Sequence, residues 1–111
     1  MKTDYMTSAA ALPPHLAYPR FLLTANIKPI TKVVYAILLD AAMSAQNWDK
    51  QGRRYAAISA DDIAEIIDRT PATVRNALNE LDGTGLVERM PTSYKAPARI
   101  YAKLPNGEGM E

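Results

Sequence analysis

The chain has 111 residues, no cysteine, one histidine and 13 basic against 12 acidic side chains, a composition that suits one small globular domain. With no thiol and His15 the sole imidazole, zinc fingers, thiol nucleophiles and disulfide scaffolds are excluded. The longest wholly apolar run, residues 33–39, lies between Lys32 and Asp40 and falls far short of the roughly 20 residues that cross a bilayer. The short apolar stretch 9–12 follows Asp4 and runs into Pro13 and Pro14, unlike a secretory signal. The expectation is a cytoplasmic protein without a membrane partner.

Charge is unevenly spread. Residues 49–68 carry three basic and five acidic groups, whereas residues 69–104 carry six and three, an asymmetry that favours a polyanionic partner at the second segment. Residues 1–17, with Pro13 and Pro14 and no sustained period, read as a flexible arm, and residues 105–111 as a flexible tail. One domain spans 18–104.

In that domain Pro29 opens a helical pattern in which Ile30, Val33, Val34, Ile37, Leu38, Ala41 and Ala45 recur every three or four residues, ending near Gln46. A second apolar stripe, Ala36, Leu39 and Met43, needs a cover. Either Tyr18, Phe21, Leu22 and Leu23 fold back over it, or a second copy of the chain does. Residues 47–54, with Asp49 and Gly52, read as a turn, and 55–58 as one short strand. Ser59 and Asp62 resemble a capping box ahead of a helix over 60–68 that buries Ile63, Ala64 and Ile67. Its acids Asp61, Asp62 and Glu65 should face away from any bound polyanion. Thr70 as N-cap and Pro71 in the first turn start a further helix with Val74, Ala77, Leu78 and Leu81 inward, stopped by Gly85. Strands are predicted at 86–90 and 98–104. The second places Ile100, Ala102 and Leu104 on one face and Arg99, Tyr101 and Lys103 on the other.

This order predicts a mainly α chain with a small antiparallel β-hairpin, a winged helix-turn-helix whose third helix enters the major groove of double-stranded DNA. Thr70, Thr73, Arg75, Asn76 and Asn79 are the candidate contacts of that helix. Arg suits guanine O6 and N7, and Asn suits adenine N6 and N7. In the wing Arg89, Ser93, Tyr94, Lys95 and Arg99 can meet phosphates or enter the minor groove.

The residues also carry a resemblance. Tyr18, Pro19, Arg20, Phe21 and Leu22, the helix segment Tyr35, Leu38, Leu39 and Asp40, the stretch Trp48, Asp49, Gly52, Arg53, Arg54 and Tyr55, then Gly85, Leu86, Val87, Glu88 and Arg89 with Arg99, Ile100 and Tyr101 resemble the N-terminal domain of RepA-type plasmid replication initiators. The resemblance implies binding to repeated sequences at a plasmid or mobile-element origin, often as a homodimer, with replication proteins recruited by a separate C-terminal domain. Two departures stand out. Asp68 occupies the turn where the family usually has glycine, and Pro71 and Ala72 replace basic residues at the start of the recognition helix.

Other signals are bland. Asp61 and Asp62 serve as helix caps rather than an acid pair, residues 83–85 as a helix terminator rather than a nucleotide loop, and Trp48 as a lid on the core. No catalysis, metal or cofactor is expected. A transcriptional repressor would use the same reading head, and a winged helix serving protein contact alone is a third reading.

Overall fold

The computed structural model describes residues 1–44, 46–91 and 98–105. Helix α1 runs Pro29–Ser44, α2 Ala60–Ile67 and α3 Pro71–Thr84, followed by strands β1 (Val87–Met90) and β2 (Arg99–Ala102), with a 3-10 turn Arg20–Leu23 ahead of them. The mainly α, winged arrangement read from the sequence is therefore the observed one.

The apolar periodicity of α1 underestimates its enclosure. Five consecutive residues, Val34 to Leu38, are buried, because α3 packs on one side of the helix and β2 on another. Ala36, assigned above to an uncovered stripe, is thus interior, whereas Val33, assigned to the core, is exposed. Tyr35 is wholly buried, and its hydroxyl donates to the Lys103 carbonyl at 2.9 Å. Burial pushes that phenol's pKa up, which keeps it a donor. Of the four residues proposed to fold back, Leu22 is buried and Phe21 meets the Tyr35 ring edge-on at 5.6 Å, but Tyr18 and Leu23 remain exposed. Neither reaches the end of the stripe, where Met43 is 61% exposed.

The strands pair antiparallel, Val87 with Ala102 and Met90 with Arg99. Pairing places Val87, Arg89, Ile100 and Ala102 on one face and Glu88, Met90, Arg99 and Tyr101 on the other. The first face turns Val87 and Ile100 into the core. The strand predicted at 55–58 shrinks to one residue: Ala56 exchanges both backbone bonds with Ile100, at 2.8 and 3.0 Å, but its neighbours make no ladder. β2 is also shorter than predicted, and Leu104, expected to share a face with Ile100 and Ala102 in that strand, is 66% exposed beyond its end.

Tyr101 departs from simple alternation, being buried although it lies on the face opposite Ile100. Residues 47–55 account for this by folding into a small hairpin against it. Trp48 pairs with Arg54, the Asp49 N–H donates to Arg53 O, and Gly52 closes the turn onto Asp49 O with φ +78, a left-handed value that glycine adopts without steric cost. Far from a lid, Trp48 is 52% exposed.

Candidate nucleic-acid interface

Helix α3 is held at both ends by devices written in its own sequence. Ser59 Oγ accepts from the Asp62 N–H at 3.1 Å to start α2, and Thr70 Oγ1 accepts from the Thr73 N–H at 3.3 Å to start α3, with Pro71 in the first turn. Both helices stop alike. Gly85 takes φ +80 and the Leu86 N–H reaches back to Leu81 O; Asp68 takes φ 53 and the Arg69 N–H reaches back to Ala64 O. Asp68 thus adopts the left-handed backbone at the position where the resemblance implied a glycine, and it closes the tight α2–α3 turn itself.

With Val74, Ala77, Leu78 and Leu81 buried, Arg75, Asn76 and Asn79 lie exposed on the outer side of α3. Two flanks border them. Toward α1, Glu80 Oε1 accepts from Thr31 Oγ1 at 2.5 Å and from the Lys28 N–H at 3.3 Å, a carboxylate at a helix start, where the dipole favours it. Thr73 and Asn76 line a small groove on this flank with Lys28 and Ile30. Toward the wing, Arg89 Nε donates to Asp82 Oδ2 at 2.6 Å, and its Nη2 donates to Asn79 Oδ1 at 3.0 Å while also pairing with Asp82. Arg75, Asn79 and Asp82 share this side of the helix, spaced at i, i+4 and i+7.

The wing carries the remaining candidates. Ser93, Tyr94 and Lys95 lie outside the described residues. Arg99 is half-buried, its guanidinium 4.6 Å over the Tyr55 ring, on the sheet face opposite Arg89. Beneath it Asp49 is a hub. Its Oδ1 accepts from the Gln51 and Arg53 N–H groups at 2.9 Å each, and its Oδ2 from Arg53 Nε at 2.7 Å and the Tyr101 hydroxyl at 3.1 Å. Desolvation raises the carboxyl's pKa, but the bonds from Arg53, Tyr101 and Gln51 outweigh it and bring the value down to about 2. The acid is therefore consumed internally. Around it stand Arg53 over Tyr101 at 5.1 Å and Arg54 over the Trp48 indole at 5.4 Å.

Comparison with known proteins decides the family. The family described as "Replication initiator protein A (RepA) N-terminus" matches residues 16–106. The chain belongs to this family. Curated protein sequences provide no match. Among solved structures this RepA N-terminal domain is similar to "N-Terminal domain of DNA binding protein" (TM-score 0.70, 20% identity, 95% of this chain and 86% of that one). It is similar also to "Structure of Rep-DNA complex" (0.70, 21%, 84% and 77%) and "Structure of MDR initiator" (0.67, 22%, 84% and 78%). These likenesses establish a shared fold.

Within the RepA N-terminal domain, the sequence-predicted residues separate into groups. Thr70, Thr73, Arg75, Asn76 and Asn79 come together on α3, and Arg89 joins them through Asn79 and Asp82. Arg99 belongs instead with Tyr55, Tyr101 and Asp49. Sequence reasoning missed Glu80, Asp82 and Asp49 as organisers, because an isolated carboxylate carries no periodic signal. The Asp49 to Gly52 spacing was the one clue to the hairpin.

Proposed function

We propose that this RepA-family domain binds double-stranded DNA at repeated sites of a replication origin, reading bases with α3 and holding the backbone with the wing. The observation that carries the reading is the exposed Arg75, Asn76 and Asn79 face beside a wing braced by Arg89, in a chain of the replication initiator family. Its fold resembles that of a protein solved as a Rep–DNA complex, which supports the same reading. Arg75 reads guanine and Asn76 adenine. Asn79 reads bases once Arg89 turns to a phosphate, and Thr70 and Thr73 meet a phosphate at the start of α3. Ser93, Tyr94, Lys95 and Arg99 serve the backbone or the minor groove. The role is binding without catalysis or cofactor, in the cytoplasm, and replication proteins are partners where the domain sits in a longer initiator.

Selection of bound sequences from random duplex tests the proposal. Direct repeats are expected; a lone palindrome would favour a repressor, and no enrichment at low salt would leave a protein-contact module. On the selected site Arg75→Ala should cost about 1–3 kcal/mol while sparing nonspecific duplex, and Lys95→Ala should weaken all sequences alike and reduce the salt slope by about one. Equal loss on every sequence for Arg75→Ala would overturn base reading.

A homodimer completes the proposal. Leu39, Ala42, Met43, Ala102 and Leu104 line an apolar groove of about 430 Å³ that Arg53, Arg54, Glu88 and Lys103 border, and a second copy would remove it from water. Met43→Glu, at an exposed position, should give a folded monomer, and a wild-type chain that sediments as a monomer at high micromolar concentration would remove this part.

A further inference from the structure

The hairpin of residues 47–55 has no part in the proposed reading head, yet it sets an exposed indole among basic side chains. Trp48, Lys50, Arg53, Met90 and Arg99 line a groove of about 330 Å³ on the outer face of the wing. The indole is 52% exposed. Arg54 lies over it at 5.4 Å and lines the neighbouring apolar groove, so the ring stands between the two grooves. Arg54 is itself tethered, its Nη1 donating to the Met43 carbonyl at 3.1 Å, which holds the indole backed on that side. The one acid in the wing-side groove, Asp49, has a side chain only 6% exposed and spends both oxygens on Arg53, Tyr101 and backbone N–H groups. Lys50 therefore meets no unengaged carboxylate among the described lining residues, and the Arg53 side chain remains 53% exposed despite its pairing, although the charge of Asp49 also acts on Arg99 and that of Glu88 on Arg53.

We infer that this groove is a second nucleic-acid site, taking single-stranded DNA by stacking an unpaired base on Trp48 while Lys50, Arg53 and Arg99 neutralise the flanking phosphates. An aromatic platform inside a basic groove is the arrangement that tracks a single strand without reading its sequence. A duplex fits it poorly. Its bases already stack on one another, and opening a step to admit a side chain sacrifices that stacking. The site lies on the sheet face opposite Arg89, and of its lining only Arg99 is also proposed for the duplex, so a strand held there competes with a duplex at that one guanidinium and not at α3. The inference does not depend on the duplex reading, since sequence-independent stacking requires nothing of Arg75 or Asn76.

Trp48 is the chain's sole tryptophan, so its fluorescence reports the site directly. Titration of the full chain with a short oligothymidylate at low salt should quench the indole and lose affinity as salt rises. With a dye-labelled oligothymidylate read by anisotropy, Trp48→Ala should bind at least about five-fold more weakly, and Trp48→Phe should stay within about threefold of wild type. Lys50→Glu, a second exposed position, should weaken binding in the same direction, with melting curves confirming that each variant is folded. Trp48→Ala should retain the selected duplex, whereas Arg75→Ala should lose that duplex and keep the oligothymidylate, so the two proposals fail separately. No quenching at low salt overturns the inference. Equal quenching by polyglutamate at matched charge makes the groove a general anion surface and overturns it, as does equal quenching by random duplex.

Discussion

The two faces of the wing are built on different physics. The inner face turns Val87 and Ile100 into the core formed with α1 and α3, and its stability comes from apolar area removed from water. The outer face is roofed by the hairpin of residues 47–55, whose own apolar burial is slight; there Asp49 gathers backbone and side-chain donors, and Arg53, Arg99, Tyr55 and Tyr101 stack above the sheet. A burial face tolerates changes of pH and salt. A face organised by one carboxylate depends on its charge, and its exposed cations remain available to an external anion.

Breaking the inner face should have the largest effect. Ile100→Ala removes a buried side chain from the point where β2 meets both β1 and Ala56, and should cost about 2–5 kcal/mol in urea denaturation. A cost below about 1 kcal/mol would mean that the sheet is not seated on the core as described.

The outer face should be revealed by acid. The Asp49 carboxyl is depressed from 3.8 to about 2, so its ionised form stabilises the fold fully above the unfolded value, and that contribution is lost as pH falls from about 4 toward 2. Asp49→Asn should be less stable than wild type at neutral pH, and the gap should close across that window in melting curves recorded at successive pH values. A gap that persists unchanged at pH 2 would remove the hub.

The smallest effect should come from the link between wing and α3. Arg89 and Asp82 are each about one-third exposed, so Arg89→Ala should cost only about 0.2–1 kcal/mol of stability. Freed from Arg89, Asn79 should exchange conformers faster, visible as a changed side-chain amide signal by NMR. If that signal does not move, the pair does not position Asn79.

Local chemistry made much of the α2–α3 region legible. The Ser59 and Thr70 caps, Pro71 and the Gly85 stop act within a few residues of themselves, so the helix-turn-helix and the exposed Arg75, Asn76 and Asn79 could be placed from spacing alone. Asp68 showed in the sequence as a conflict, and the fold resolved it with a left-handed residue. What joins distant segments was not legible. The Glu80 bond to Thr31 spans 49 residues and the Tyr101 bond to Asp49 spans 52, and no pattern along the chain says which carboxylate meets which donor. The same holds for burial: amphipathic periodicity assumes one solvent side, but α1 is enclosed by α3 and β2 together, and β2 has the core on one face and the hairpin on the other. Sequence alone determined which segments coil, turn and stop, because those are short-range matters of backbone and cap. Only the tertiary structure decided that Ala36 and Tyr101 lie inside and Trp48 and Leu104 outside, because burial depends on what a second segment, far along the chain, places on top.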